Sequence, residues 1–498
     1  MTQGTNELET AEQPETLRRV AIDPISRVEG HGKVTLLLDD EGHVHQVRLH
    51  IVEFRGFEKF IQGRPYWEAP VMVQRLCGIC PVSHHIAASK AMDMLVGATL
   101  TPTAEKVRRL MHYGQILQSH ALHFFYLSSP DLLLGFDSPV TQRNLVGVIA
   151  AHPELVKQGV LLRKFGQEVI RITAGKRVHG TGAIPGGMNK NVSVQERDAL
   201  LSEIEQVVAW GEEAVGVARS LFEQNRELYG DFGTFRAHTL NLVREDGAMD
   251  LYHGGLRARS MDGETFFDHY DYRHYWDVIL EDVKPWSYMK FPFLRSLGPD
   301  EGWYRVGPLT RVTECDFIPT PLAEGARLEF LAYDGGSAAR ATLGMHWARM
   351  IELLHSAEVI QELLHDPDLQ GTDLVSTGDR QERGVGVIEA PRGTLIHHYK
   401  VNEDDQITRC NLVVSTTHNN QAMNEAIREV ARRYLDGKTI TEGLLNHIEV
   451  AIRAFDPCLS CATHALGQMP LDIELVDADG VRLDALRRSS DGASCRPE

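Results

Sequence analysis

Apolar and polar residues alternate along residues 20–55, and the alternation breaks at Asp39-Asp40-Glu41-Gly42. That spacing predicts a β-hairpin or small sheet near the N-terminus. From Trp67 to about Leu127 the period becomes helical, with Ala-, Met- and Leu-rich stretches punctuated at Pro81 and at Thr101-Pro102-Thr103, a helix-start signal. Helical spacing covers 137–173 and 191–229, divided by the loop Ile184-Pro185-Gly186-Gly187, and returns across 342–366. Residues 250–340 mix glycine, proline and aromatics and define few boundaries. Val385–Val401 and Ile407–Val414 predict a second β-pair around Asn402-Glu403-Asp404-Asp405, and helices follow at 418–436 and 443–453. Without an internal repeat or a long linker, the pattern predicts one mainly α domain with small β-sheets (α+β) over residues 20–464. Beyond it, Leu471–Val476 and Val481–Leu486 predict a hairpin around Asp477-Ala478-Asp479-Gly480. The last dozen residues and the acidic arm 1–19 are polar and predict disorder.

Composition narrows the function classes. The 498-residue chain is 43% apolar, enough for a large core, and carries a net charge of −18. That charge argues against a nucleic-acid or anionic-membrane surface. No apolar run approaches the roughly 20 residues of a membrane span, and residues 1–19 contain no signal-peptide apolar region. Seven dispersed cysteines are not a disulfide framework and fit a reducing cytoplasm.

Four of those cysteines form two short pairs near opposite ends of the chain, Cys77-Gly-Ile-Cys80 and Cys458-Leu-Ser-Cys461. Two C-x-x-C units can hold a soft or borderline metal, and structural zinc is the plainest occupant. The separation means that such a site forms only after the whole domain folds. Structural zinc asks for none of the neighbours these pairs have, which include carboxylates, an arginine-bearing loop and a histidine at a short offset. The first pair stands in Arg75-Leu76-Cys77-Gly78-Ile79-Cys80-Pro81-Val82-Ser83-His84-His85, the second in Asp456-Pro457-Cys458-Leu459-Ser460-Cys461-Ala462-Thr463-His464. With Ile25-Ser26-Arg27-Val28-Glu29-Gly30-His31, Arg55-Gly56-Phe57-Glu58 and Glu389-Ala390-Pro391-Arg392-Gly393, the chain closely resembles the large subunit of nickel–iron hydrogenases over about residues 20–464. Val52-Glu53-Phe54-Arg55-Gly56-Phe57-Glu58 and Cys458 to Pro470 resemble most the cytoplasmic, bidirectional NAD-linked type.

The resemblance implies the family's fold, with long central helices and an N-terminal β-hairpin region, and a set of roles. Cys77 and Cys458 would be terminal nickel thiolates, Cys80 and Cys461 bridges to an iron carrying cyanide and carbon monoxide. Pro81 suits the first turn of a helix whose N-terminus would help keep Cys80 ionised. Arg392, in the Pro391-Arg392 loop, would donate to one cyanide and Thr416 to another, with Asp456 supporting Arg392. His84 would bond a bridging thiolate, while His85 stays unassigned. Glu29, which could also be a surface glutamate, would be the first proton relay next to Cys458, its pKa raised by burial. Glu58, His464 and a backbone carbonyl near Leu412 would hold magnesium. Many relatives carry aspartate where this chain has Ser119.

The implied reaction is reversible heterolysis of dihydrogen into protons and electrons. Four cysteines at one site leave too few for a relay of iron–sulfur clusters, so a small subunit would carry those clusters and diaphorase subunits would bind FMN and NAD. No G-x-G-x-x-G follows a strand in this chain. The related scaffold subunit of respiratory quinone-reducing complexes lacks the cysteines, and hydrogen-sensing homologues usually lack a C-terminal extension. The family pattern further implies that nickel-insertion factors load the metal and that an endopeptidase then cuts between His464 and Ala465. Removing the tail would let residues 456–464 swing inward.

Overall fold

The computed structural model describes residues 16–464 and the backbone of 471–476, 482–488 and 494–495. The chain opens with a three-stranded antiparallel sheet, β1 (Arg18–Ile22), β2 (Gly32–Leu38) and β3 (Val44–Ile51). The reversal between β2 and β3 falls at the expected acidic turn, where Gly42 takes φ +87°. Strand β1 starts inside the expected disordered arm, because Arg18 and Arg19 pair with Leu38 and Leu37. Residues 1–15 lie outside the described part.

Long helices form the centre. Pro81 occupies the first turn of α1 (Pro81–Leu95), as its fixed φ and missing N–H favour. Thr101 caps α2 (Pro102–Leu122), its hydroxyl accepting from the Ala104 amide at 3.2 Å, a contact that stabilises a helix start by about 1 kcal/mol. Helix α3 (Pro153–Ala174) crosses α2 closely at Gly114 and Gly166, where a Cβ on either would strike the other helix. Residues 137–144, expected to be helical, form turns before a short helix at Leu145–Ala151. The longest helix, α4 (Val194–Gln224), starts at a Ser193/Glu196 capping box.

The region in which the sequence marked few boundaries holds a four-stranded sheet. Its strands are β4 (His238–Val243), β5 (Gly255–Arg259), β6 (Thr265–Tyr270) and β7 (Tyr304–Arg305), in the order β7-β4-β5-β6. Helix α5 (Pro308–Glu314) follows. Helix α6 (Gly344–His365) is buried on all sides.

Val385–Val401 is not one strand. It folds into β8 (Arg383–Ala390) and β9 (Gly393–Val401), which pair antiparallel and continue to β10 (Ile407–Val413). Gly393 at φ +133° makes the reversal possible and leaves Pro391 and Arg392 at the hairpin tip. A Cβ on Gly384 or Gly386 of β8 would meet the Ala91 or Ala87 carbonyl of α1 at 2.0 Å. Those small residues press the helix that follows Cys80 onto the strand that leads to Arg392. Helix α7 (Glu442–Ala454) then delivers the second cysteine pair. In the C-terminal extension Leu471–Val476 pairs with Arg482–Arg488 as expected, and Ser494–Cys495 adds a third short strand within a stretch read as disordered. The expected turn at 477–480 lies outside the described residues. No single helix among the described residues is long and apolar enough to cross a membrane.

Candidate metal centre

The fold brings the two cysteine pairs together. The sulfurs of Cys77, Cys80, Cys458 and Cys461 all lie within 4.8 Å of one another, every residue buried. Cys458 Sγ is 3.3 Å from Cys77 Sγ and 2.8 Å from Cys461 Sγ, and Cys80 Sγ is 3.6 Å from Cys461 Sγ. The Ile79 and Cys80 amides point at Cys77 Sγ, at 3.1 and 3.4 Å. Gln115 and Gln118 of α2 both donate to the Ile79 carbonyl, which fixes the loop.

Hydrogen bonds from the neighbouring thiols, Cys458 foremost, hold Cys77 well below the ordinary thiol range, whereas burial pushes Cys458 and Cys461 up. Cys80 is also pushed up rather than held ionised. The bonds that Cys458 and Cys461 offer it lower its pKa, but the Cys77 contact, burial and the Cys77 charge together outweigh them. One thiolate among three thiols is a set that a soft cation would deprotonate on binding.

Segment 456–464 is wholly buried. It is held from several sides. The Leu459 amide donates to the Glu29 carbonyl at 2.9 Å, and the Cys458 amide donates to Thr416 Oγ1 at 2.9 Å. Gly30, at φ +83°, lies so close that a Cβ would come 2.6 Å from the Ser460 nitrogen. The Ile25–His31 block is tied in turn to α7 through Arg453, which donates to the Ser26 carbonyl and to Asp131, itself paired with Arg27.

Glu29 is at the centre rather than on the surface. Its Oε2 lies 3.0 Å from Cys458 Sγ and accepts from the Ser460 amide at 3.1 Å, and its Oε1 accepts from the Ser460 hydroxyl. Burial, aided by the Cys77 charge, raises its carboxyl above the usual range against those bonds.

Arg392 Nε donates to the Asp456 carbonyl at 2.6 Å and its Nη2 to Asp456 Oδ1 at 3.0 Å. Its Nη1 is buried without a partner among the described residues. Burial opposes its charge, but Asp456 and the nearby sulfurs keep it protonated. Asp456 adopts φ +52°, a strained conformation for a non-glycine residue. A narrow cavity of about 10 Å³ is lined by Cys80, Cys458, His84, Pro391, Arg392 and Thr416, among others. The unpaired Nη1 donor beside four sulfurs fits a metal centre whose ligands accept hydrogen bonds, a feature that a plain zinc site does not require.

His84 lines the cavity beside Cys80, and its Nδ1 lies 3.1 Å from His397 Nε2 on β9; His397 continues to the Tyr399 hydroxyl at 2.8 Å. Burial keeps both imidazoles neutral, His84 at about 4. Around Glu58, the Leu412 amide of β10 donates to the carboxylate at 2.8 Å. Lys290 also donates to Glu58, at 3.0 and 3.2 Å, and bonds Glu281 and Asn411. His464 stands beside this segment, since the Gly56 and Arg55 amides reach Thr463. Both its ring nitrogens are buried without partners among the described residues, and burial followed by the Lys290 charge pushes it to about 3. A neutral imidazole with free lone pairs beside a carboxylate fits a cation ligand.

Sequence reasoning missed the network behind the Arg392 tip. Arg311 of α5 grips both oxygens of Glu352 on α6, with Nη2–Oε2 at 2.6 Å, and binds Glu389 Oε2 at 2.7 Å. It also donates to the Ala390 and Pro391 carbonyls at 3.0 and 3.4 Å. His120 bonds Glu352 at 2.8 Å, and Thr394 bonds Glu389 at 2.8 Å. The available signal was Glu352 and His355 inside an otherwise apolar helix, where a charge must find a partner. Ser119 is buried on α2, its hydroxyl unpaired among the described residues.

The family pattern described as Nickel-dependent hydrogenase matches residues 55–134 and 220–464, and one described as HoxL-like matches residues 19–54. The NAD-reducing hydrogenase HoxS subunit beta of Cupriavidus necator is 50% identical over 487 residues, covering 95% of this chain and 100% of that one. A chain of the F420-non-reducing hydrogenase vhc of Methanococcus voltae is 40% identical, covering 94% of this chain and 99% of its own. A crystal structure of an NAD+-reducing [NiFe]-hydrogenase in the H2-reduced state superposes with a TM-score of 0.89 at 60% identity, over 91% of this chain and 100% of that one. With the four-sulfur cluster and its arginine in place, these similarities establish that the chain belongs to the nickel-dependent hydrogenases, as a large subunit.

Proposed function

We propose that this chain splits and forms dihydrogen reversibly at a nickel–iron centre held by Cys77, Cys80, Cys458 and Cys461. The observation that carries the reading is the cluster of four sulfurs facing, across a closed cavity, an arginine with one unused donor. When bound, the centre with its cyanide and carbon monoxide ligands supplies the electrophilic site that polarises dihydrogen and takes up its electrons. The chain's own residues do the rest. Arg392, kept cationic by Asp456, offers Nη1 to a ligand acceptor, while Thr416 fixes the Cys458 backbone and lines the same cavity. Glu29, 3.0 Å from Cys458 Sγ and with a raised pKa, is placed to receive a proton from that sulfur and release it. Glu58, His464 and the Leu412 carbonyl would hold magnesium, which His464 suits through its unpaired nitrogens.

The NAD-reducing relatives support electron transfer to NAD; an iron–sulfur small subunit and FMN-binding diaphorase subunits would carry the electrons, and the free cysteines suit a cytoplasmic setting. Maturation by nickel-insertion factors and an endopeptidase cutting after His464 is supported by the family match, which ends at residue 464. Metal analysis of the purified complex should return one nickel and one site iron per chain, with infrared bands from diatomic ligands. Zinc alone without such bands would overturn the reading. Cys→Ser at any of the four positions should abolish activity, because a hydroxyl is not a soft, easily ionised ligand.

A further inference from the structure

The His84 ring lines the narrow cavity together with Cys80, Cys458 and Arg392. Its Nδ1 is committed to His397 Nε2 at 3.1 Å, which leaves Nε2 as the nitrogen available to the cavity. The other ring nitrogen of His397, Nδ1, lies 2.8 Å from the Tyr399 hydroxyl. His397 and Tyr399 stand two residues apart on β9 and so share one face of the strand. All three side chains are buried, and His397 is the hydrogen-bond partner of the Tyr399 hydroxyl among the described residues.

Proton counting fixes the direction in which these bonds run. Burial keeps both imidazoles neutral, so each ring carries one N–H and one accepting nitrogen. Burial also pushes the Tyr399 hydroxyl well above its ordinary range, so it keeps its proton. Two arrangements satisfy these conditions. In the first, Tyr399 donates to His397 Nδ1, His397 Nε2 donates to His84 Nδ1, and the His84 proton is left on Nε2. In the second every bond reverses, and the Tyr399 proton has no acceptor among the described residues. An unmade bond from a buried hydroxyl disfavours that second arrangement by about ten-fold or more. The first arrangement also gives the cavity a donor instead of a lone pair, on the side where the sulfurs gather.

We propose that Tyr399 and His397 are positioning residues that fix His84 in its Nε2–H form, so that the imidazole offers a hydrogen bond to sulfur at the metal centre. This rests on the nickel–iron reading above and extends it to two residues that lie behind the ring. Partners of this kind set both the proton position and the direction of an imidazole beside a metal.

Infrared spectroscopy of the purified, metal-loaded complex tests this. Tyr399→Phe removes a single oxygen and should leave the nickel content at the parent level. It should move the bands of the iron-bound diatomic ligands to lower wavenumber, because a thiolate that loses a donor passes more charge to the iron. His397→Met should move them the same way, and the double variant no further than His397→Met alone, since both changes break one relay; independent packing effects would add. Unmoved bands in loaded Tyr399→Phe, a move to higher wavenumber, or additive shifts overturn the proposal. Should His397→Met not fold or load, Tyr399→Phe decides alone. A parent complex without such bands would instead overturn the nickel–iron reading, and this proposal with it.

Discussion

Replacing Arg311 with methionine removes the cation that joins α5, α6 and the Arg392 hairpin, while keeping most of the side-chain volume. Its guanidinium satisfies Glu352, Glu389 and two loop carbonyls, all of them buried. Burial alone would raise Glu352, but the Arg311 charge and bonds, with His120, hold it at about 2 against an ordinary 4.5. That gap corresponds to about 3 kcal/mol of stability from one carboxylate. The folded pKa is depressed, so in the parent this contribution is complete above about pH 4.5 and is lost as pH falls toward 2. In Arg311→Met two buried carboxylates lose their counter-charge, a change that costs about 3–5 kcal/mol. Both carboxyls then sit above their unfolded values. Glu389 is already raised by burial in the parent, so the variant should lose more stability than the parent as pH rises from 5 to 8. Urea unfolding followed by tryptophan fluorescence, repeated across pH, measures both effects. Adding Glu352→Gln should recover part of the loss, because one of the two uncompensated charges disappears. A variant with the parent's urea midpoint and pH dependence would refute the view that Arg311 holds the hairpin by charge.

Three further outcomes concern the centre. Glu29→Gln should keep nickel and iron but slow proton-dependent turnover by about 10²–10⁴-fold, since an amide cannot relay a proton by titrating; loss of metal would make Glu29 structural instead. Arg392→Lys should also keep the metals, yet slow dihydrogen cleavage by about 10²–10³-fold and shift the cyanide infrared bands, because an ammonium cannot keep two donors on Asp456 while aiming a third. Unshifted bands would detach Arg392 from the ligands. Intact mass of the large subunit in the active complex should end at His464, and an active subunit ending at Glu498 would show that no cut is needed.

Much of the helical frame was legible because it rests on local rules. Thr101-Pro102 starts a helix wherever it occurs, and the Asp39–Gly42 turn closes a hairpin through glycine's access to positive φ. The cysteine pairs were legible as chemistry, since few residue types bind soft metals. What stayed hidden depends on partners distant in sequence. Val385–Val401 looks like one β-run until Gly393 reverses it, at a point where a Cβ would strike Val306 and Gly307, 86 and more positions earlier in the chain. Arg311 gives no periodic signal, because its meaning lies 41 and 78 residues away, in Glu352 and Glu389. The His397 partner of His84 stayed hidden for the same reason, since it lies on β9, 313 positions along the chain.

The order of the chain also bears on how the centre can be assembled. Cys77 and Cys80 sit on a loop fixed by α2 through Gln115 and Gln118, within one contiguous stretch of the fold. Cys458 and Cys461 are placed by contacts from Glu29, Thr416 and Gly30, which belong to the N-terminal block and the β10 exit. The second pair thus closes on a surface that the rest of the domain has already built. Once Asp456 to His464 are buried, the narrow cavity beside the sulfurs is lined by Cys458 from that segment, by Cys80 and His84, by the Arg392 tip and by Thr416. We propose that this late-closing segment is where a maturation step acts, through a cut after His464.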